Sequence, residues 1–211
     1  MGEAIFVGTI IPLFFLAIIL KGEQRLLILF FTWGLIAFAI SLTLNNALVR
    51  HFQINTQQLS TTWAPIIEEF TKALPLGYFL FKSEKKIPIV YFGIAAGIGF
   101  SIQENYVYLL GHMHESGSPV PFIITRSVTT CLIHGTTTGI VGFGLSIARQ
   151  LNGIIWPLLF GLYTVAVTIH ALYNLYIYSS YQSIGLFMPL FLYLIGFAVL
   201  NIKEDKGREK D

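Results

Sequence analysis

Long apolar stretches follow one another from end to end of this chain, at roughly 4–20, 26–48, 63–81, 87–110, 121–148, 153–178 and 184–201. A helix crosses a bilayer with about 20 mostly apolar residues, so each stretch is read as a crossing. The fold class that follows is all-α: a polytopic membrane helix bundle of about seven transmembrane helices, one integral membrane domain over residues 1–211. Composition excludes the soluble alternative. The chain is 55% hydrophobic and 11% charged, where a soluble domain carries about 25% charged residues. Pro65, Pro88, Pro121 and Pro157 lie in first turns, where a missing N–H costs nothing. Pro75 falls inside the third stretch and predicts a kink there.

The N-terminus has neither the basic region nor the cleavage site of a signal peptide and reads as a retained helix. Its Met-Gly opening has Phe6 where N-myristoylation wants Ser or Thr. Cys131 is the single cysteine, so no intrachain disulfide forms, and it reads as a small buried apolar residue. Gly93/Gly97 and Gly135/Gly139 have the small-xxx-small spacing that lets helices approach closely.

Lys and Arg set the orientation. Lys21, Arg25, Lys82, Lys85, Lys86, Arg149, Lys203, Lys206, Arg208 and Lys210 all fall on one side of a seven-span arrangement, and only Arg50 falls on the other. The N-terminus is therefore expected outside and the C-terminus in the cytoplasm, with the mixed-charge tail disordered. The segment from Leu44 to Thr62 reads as an outer loop with a helix end, in which Asn45 and Asn46 are interfacial. His112 and His114 read as solvated residues of another outer loop.

Inside the spans remain Glu68, Glu69, Lys72, Glu104, Asn105, Arg126, His134, His170 and Asn174. A charge in hydrocarbon costs about 2.5–3.5 kcal/mol on insertion scales, so such groups need partners and mark function. Counting the rise along each span places them together, from the outer interface to mid-membrane. Glu68 and Glu69 lie four and three residues before Lys72, so an internal ion pair is available. His170 and Asn174 share a helix face. Two imidazoles and a carboxylate hold one Zn²⁺ in an open site, and a further carboxylate then deprotonates bound water. Without metal, glutamate serves as base, histidine positions water and an Asn amide steadies an oxyanion. A membrane amidase, a proton-coupled transporter and a scaffold are the competing readings. A ceramidase-like amidase is expected to supply three histidines and a Ser/Asp pair, but the spans contain two His and no Asp. Transporters often show internal repeats, and none is evident here.

"EEFTK" (Glu68, Glu69, Lys72), "GFSIQEN" (Glu104, Asn105), His134 followed by glycines, and "HALYN" (His170, Asn174) occur in this order on successive apolar segments. The set resembles the PrsW family of intramembrane proteases, related to the CAAX prenyl endopeptidases and Abi-type membrane proteins, over about residues 60–178. The resemblance implies hydrolysis of a peptide bond in membrane-tethered substrates, of the anti-sigma-factor type, near the outer leaflet of a prokaryotic cell membrane. Carried over, Glu68 or Glu69 activates water, with Glu68 the first choice. Glu104, His134 and His170 are metal ligands or position water, Asn174 assists the oxyanion, and Lys72 holds the diglutamate charge, with Asn105 and Arg126 in support. Glu104 stands where CAAX endopeptidases have a histidine, which favours the PrsW branch. Both a zinc metalloprotease and a metal-free glutamate protease are open. The expected partners are the lipid bilayer and a membrane-anchored protein or peptide, and nucleic acid is not among them.

Overall fold

The computed structural model describes residues 2–81, 89–112, 118–148 and 155–208. Lys82, Lys85, Lys86, Arg149, Lys210 and His114 lie outside the described residues, as do the side chains of His112, Lys203, Lys206 and Arg208. In chain order the helices are α1 (Gly2–Ile19), α2 (Gly22–Phe52), α3 (Thr56–Gln58), a π-helical turn (Leu59–Trp63), α4 (Ala64–Ala73), a 3₁₀ segment (Leu74–Phe81), α5 (Ile89–His112), α6 (Pro119–Ala148), α7 (Ile155–Ile177) and α8 (Gln182–Arg208). No strand occurs among the described residues.

Helices α2, α6 and α7, together with Gln182–Val199 of α8, are long and apolar enough to cross a membrane. The apolar part of α1, Ile5–Ile19, is shorter. Helix α5 has the length, but Ser101, Gln103, Glu104 and Asn105 dilute its hydropathy while being wholly or largely buried in the bundle. Large apolar side chains such as Phe14, Trp156, Phe160, Phe187 and Phe191 face outward on α1, α7 and α8. An outer surface this apolar suits lipid rather than water, and the chain is an integral membrane protein.

The third stretch breaks where proline requires it. Helix α4 ends at Ala73 and the chain tightens to 3₁₀ from Leu74, through Pro75. Pro75 has no N–H to give the carbonyl four residues back, that of Thr71. The indole Nε1–H of Trp33, on α2, donates to this Thr71 oxygen at 2.9 Å. Ser41 Oγ meets Thr71 Oγ1 at 2.6 Å, and Thr71 donates to the Glu68 carbonyl at 3.1 Å. These bonds fix α4 against α2.

Two sequence expectations change. The segment expected as an outer loop is mostly helical: α2 runs on to Phe52 and stops where Gln53 turns left-handed (φ 52°). Asn55 then caps α3 by accepting from the Gln58 N–H at 2.8 Å. The tail expected to be disordered continues α8 to Arg208, because extending a formed helix needs no new nucleus. The interhelical turn after α1 depends on Gly22 at φ 56°, a conformation only glycine adopts freely. Arg25 then donates back to the carbonyls of Leu20 (2.6 Å) and Ile18 (3.1 Å) at the end of α1.

Helix α5 lies between α2 and α6, and glycine allows the close approach on both sides. A Cβ on Gly34 would strike the Ala96 carbonyl, and one on Gly97 would strike the carbonyl of His134. Gly93 likewise faces the Thr138 backbone, which accounts for the Gly93/Gly97 spacing. Gly97→Ala is therefore expected to cost about 1–3 kcal/mol and to displace His134. Thermal unfolding in detergent measures the loss, with Gly161→Ala, whose Cβ would meet nothing, unchanged as control. Toward one end of the bundle Phe30, Phe79 and Phe92 stack with centroids 5.3–5.6 Å apart. Phe92 lies twelve residues before Glu104 on α5, about 18 Å along the axis. The apolar core and the polar set thus occupy different depths.

Candidate active site

Four helices meet at the polar set. Helix α4 supplies Glu68, Glu69 and Lys72, α5 supplies Glu104, α6 supplies Arg126 and His134, and α7 supplies His170. Three residues apart on α4, Glu69 and Lys72 point into the bundle and are fully buried. Lys72 Nζ donates to Glu69 Oε1 at 2.6 Å. The same oxygen accepts from Thr137 Oγ1 at 3.0 Å and from His170 Nδ1 at 2.9 Å. Three donors therefore satisfy one carboxylate oxygen, which offsets part of the desolvation of the charge.

Lys72 also reaches His134 Nδ1 at 2.8 Å and lies 4.9 Å from the centre of the Phe100 ring. An ammonium has only hydrogens to give, so Nδ1 of His134 accepts. The proton of the neutral ring then sits on Nε2, which donates to Glu104 Oε2 at 3.0 Å. Glu104 Oε1 is held by Arg126 Nη2 at 3.1 Å, and the Arg126 guanidinium stacks 3.3 Å from the centre of the Tyr108 ring. The result is one continuous polar chain, Arg126–Glu104–His134–Lys72–Glu69–His170.

Glu68 stands at the open end of that chain. Its neighbour Glu69 is closed off, but Glu68 keeps 12% of its side-chain surface exposed. Its Oε1 lies 3.5 Å from Asn45 Nδ2, and its Oε2 lies 3.7 Å from His170 Nε2. A neutral His170 that gives its Nδ1–H to Glu69 presents a lone pair at Nε2. This nitrogen and Glu68 Oε2, 3.7 Å apart, face each other across a gap that a small polar group with hydrogens to give would fit. The rings of His134 and His170 meet edge to face, with centroids 4.8 Å apart.

One ligand atom each from Glu68, His134 and His170 lies within 4.8 Å of the others. Two imidazole nitrogens and a carboxylate oxygen fit zinc by donor type. Glu69 behind His170 supplies the carboxylate that commonly orients a ligating histidine. The ligand set implied by the resemblance, Glu104, His134 and His170, differs in its carboxylate. Glu104 is engaged by Arg126 and His134, and the grouped carboxylate is Glu68.

Seven of the nine intramembrane polar residues are thus drawn into one cluster. The two asparagines stand at its border. Asn105 Oδ1 accepts from Thr130 Oγ1 at 3.0 Å, joining α5 to α6. Asn174 gives an amide N–H to the Ser60 carbonyl in the π-helical turn at 2.8 Å. In this arrangement it holds the turn that leads into α4. Thr137 and Thr130 had no place in the sequence reading, and Asn45, expected at the interface, is buried beside Glu68. Arg126, Thr130, His134 and Thr137 follow one another at spacings of four, four and three on α6, a polar stripe that was available as a signal.

No curated protein and no solved structure matches the chain. A family model described as PrsW family intramembrane metalloprotease matches residues 22–201. That match extends beyond the motif-bearing segment to α2 and most of α8, and the chain belongs to the PrsW family of intramembrane proteases.

Proposed function

We propose that this protein is an intramembrane endopeptidase in which Glu68 activates water against a peptide bond of a membrane-tethered substrate. The observation that carries this reading is the contrast between the two glutamates. Glu69 Oε1 is filled by three donors in a fully buried site, and Glu68 is part-exposed with Oε2 facing His170 Nε2. A buried, paired carboxylate is suited to hold a histidine, and an accessible one is suited to move a proton.

In this reading His170, oriented by Glu69, accepts a hydrogen bond from one O–H of the water, which stays on the attacking oxygen, while Glu68 takes the other proton as the water attacks. Glu68 then returns that proton to the departing amine. Lys72 and Thr137 keep Glu69 anionic and fixed. His134, held between Lys72 and Glu104, borders the reacting centre. In the zinc alternative Glu68, His134 and His170 would hold the ion, which would polarise the carbonyl and acidify water; Glu68 would then be a ligand rather than the free base, and His134 would have to release Lys72 or Glu104. The metal-free reading is kept because both ring nitrogens of His134 are engaged, by Lys72 and Glu104.

All seven apolar stretches cross the membrane in this proposal, with the N-terminus outside and the site in the outer half of a prokaryotic cell membrane. The composite α4 segment and the polar-rich α5 are accommodated because their polar groups face the bundle. An anti-sigma-factor type of substrate fits an outer-leaflet cut. Zinc content of the purified protein, beside cleavage, separates the two mechanisms. About one zinc per chain, falling in both His134→Ala and His170→Ala together with cleavage, is the result expected of the metalloprotease. Full cleavage by protein stripped of metal would overturn it in favour of the glutamate mechanism.

A further inference from the structure

Asn45, on α2, lies beside the proposed base and has no part in the reaction as described so far. It is buried, with 8% of its surface exposed, and its Nδ2 lies 3.5 Å from Glu68 Oε1. Its other amide atom, Oδ1, is fully buried and has no hydrogen-bond partner among the described residues. One turn earlier on α2, Ser41 is bonded to Thr71 of α4, so Asn45 and Glu68 are presented to each other by two helices already pinned together. Glu69 Oε2 is another buried acceptor without a donor among the described residues.

Buried polar atoms are almost always satisfied, and each exception calls for a reason. A site that holds unmatched acceptors is suited to a ligand that brings donors. An unwound peptide is such a ligand: opening a helix for cleavage frees backbone N–H groups that hydrocarbon cannot satisfy. We infer that Asn45 is a substrate-contacting residue: its Nδ2–H steadies Glu68, and its Oδ1 accepts a backbone N–H of the unwound substrate beside the scissile bond. One amide then sets the distance between base and peptide. The long Nδ2 contact suits a bond that tightens once substrate is present. This inference rests on the protease reading.

The test uses the full chain in nanodiscs and a single-span peptide in which backbone N–H groups around the cut are replaced one at a time by ester oxygen. In the wild type, one ester position is expected to lower kcat/KM about tenfold. Asn45→Leu is expected to cleave the all-amide peptide about 10–100-fold more slowly and to be indifferent to that same ester, a non-additive cycle. Asn45→Asp keeps the acceptor and loses the donor, so it is expected to retain the ester penalty while kcat falls. A wild type that cleaves, beside an Asn45→Leu that cleaves equally well or feels the same ester penalty, would overturn the inference. So would loss of the penalty in Asn45→Asp. A wild type that cleaves no peptide would overturn the protease reading with it, and the two failures are told apart by that control.

Discussion

Glu68→Gln is expected to lower cleavage by about 10²–10⁴-fold, the usual contribution of a positioned general base, while leaving the protein folded. Glutamine keeps the shape and the Oε1 acceptor that faces Asn45 Nδ2, but it cannot take a proton. Glu68 is also the less buried of the pair, with 12% of its side chain exposed, so neutralising it strands no charge. The change should therefore appear in kcat and hardly in thermal stability. Glu69→Gln provides the contrast. It removes the acceptor shared by Lys72, Thr137 and His170, so activity and stability should fall together. Kinetics and unfolding midpoints of the two variants, measured side by side in one detergent, check both.

Lys72→Met is expected to be the most destabilising single change. Lys72 and Glu69 are both fully buried and 2.6 Å apart. Removing one partner of a buried ion pair typically costs about 3–5 kcal/mol, because the other charge stays behind uncompensated. His134 Nδ1 would lose its donor at the same time. If charge imbalance is the cause, adding Glu69→Gln to Lys72→Met should restore part of the stability without restoring activity. Unfolding midpoints of the two single variants and the double variant measure this. A double variant no more stable than Lys72→Met alone would mean that lost packing of the lysine, rather than the stranded carboxylate, is responsible.

The ionisable residues were the legible part of the polar cluster. Charge is so costly in hydrocarbon that Glu68, Glu69, Lys72, Glu104, Arg126, His134 and His170 stood out without any structure, and they do assemble. Their individual duties were not legible in the same way. Glu68 and Glu69 are about 100° apart on one helix turn, so spacing cannot tell which one faces the buried lysine and which the opening. That depends on Thr137 from α6 and Asn45 from α2, uncharged residues whose partners lie 68 and 23 positions away in sequence. The same limit applies to Asn174: spacing places it near His170 but does not reveal that one of its amide N–H groups is given to the Ser60 carbonyl.

For the fold, the long apolar stretches located the main helices. The break at Pro75 was foreseen, though not the Trp33 indole that takes up the carbonyl the proline leaves. Seven stretches read as alike, but among the described residues only α2, α6, α7 and the first part of α8 combine the required length and hydropathy. The difference has a physical source. A helix such as α5 that contributes to the buried polar cluster carries Gln103, Glu104 and Asn105 inward, and this lowers its average hydropathy without exposing those groups to lipid.

The most direct measurement is cleavage of a single-span membrane peptide by the purified protein in nanodiscs, with the products sized by mass spectrometry. The account predicts a discrete cut in the outer half of the span by wild type and essentially none by folded Glu68→Gln. An uncut peptide, or equal cutting by Glu68→Gln, would contradict it.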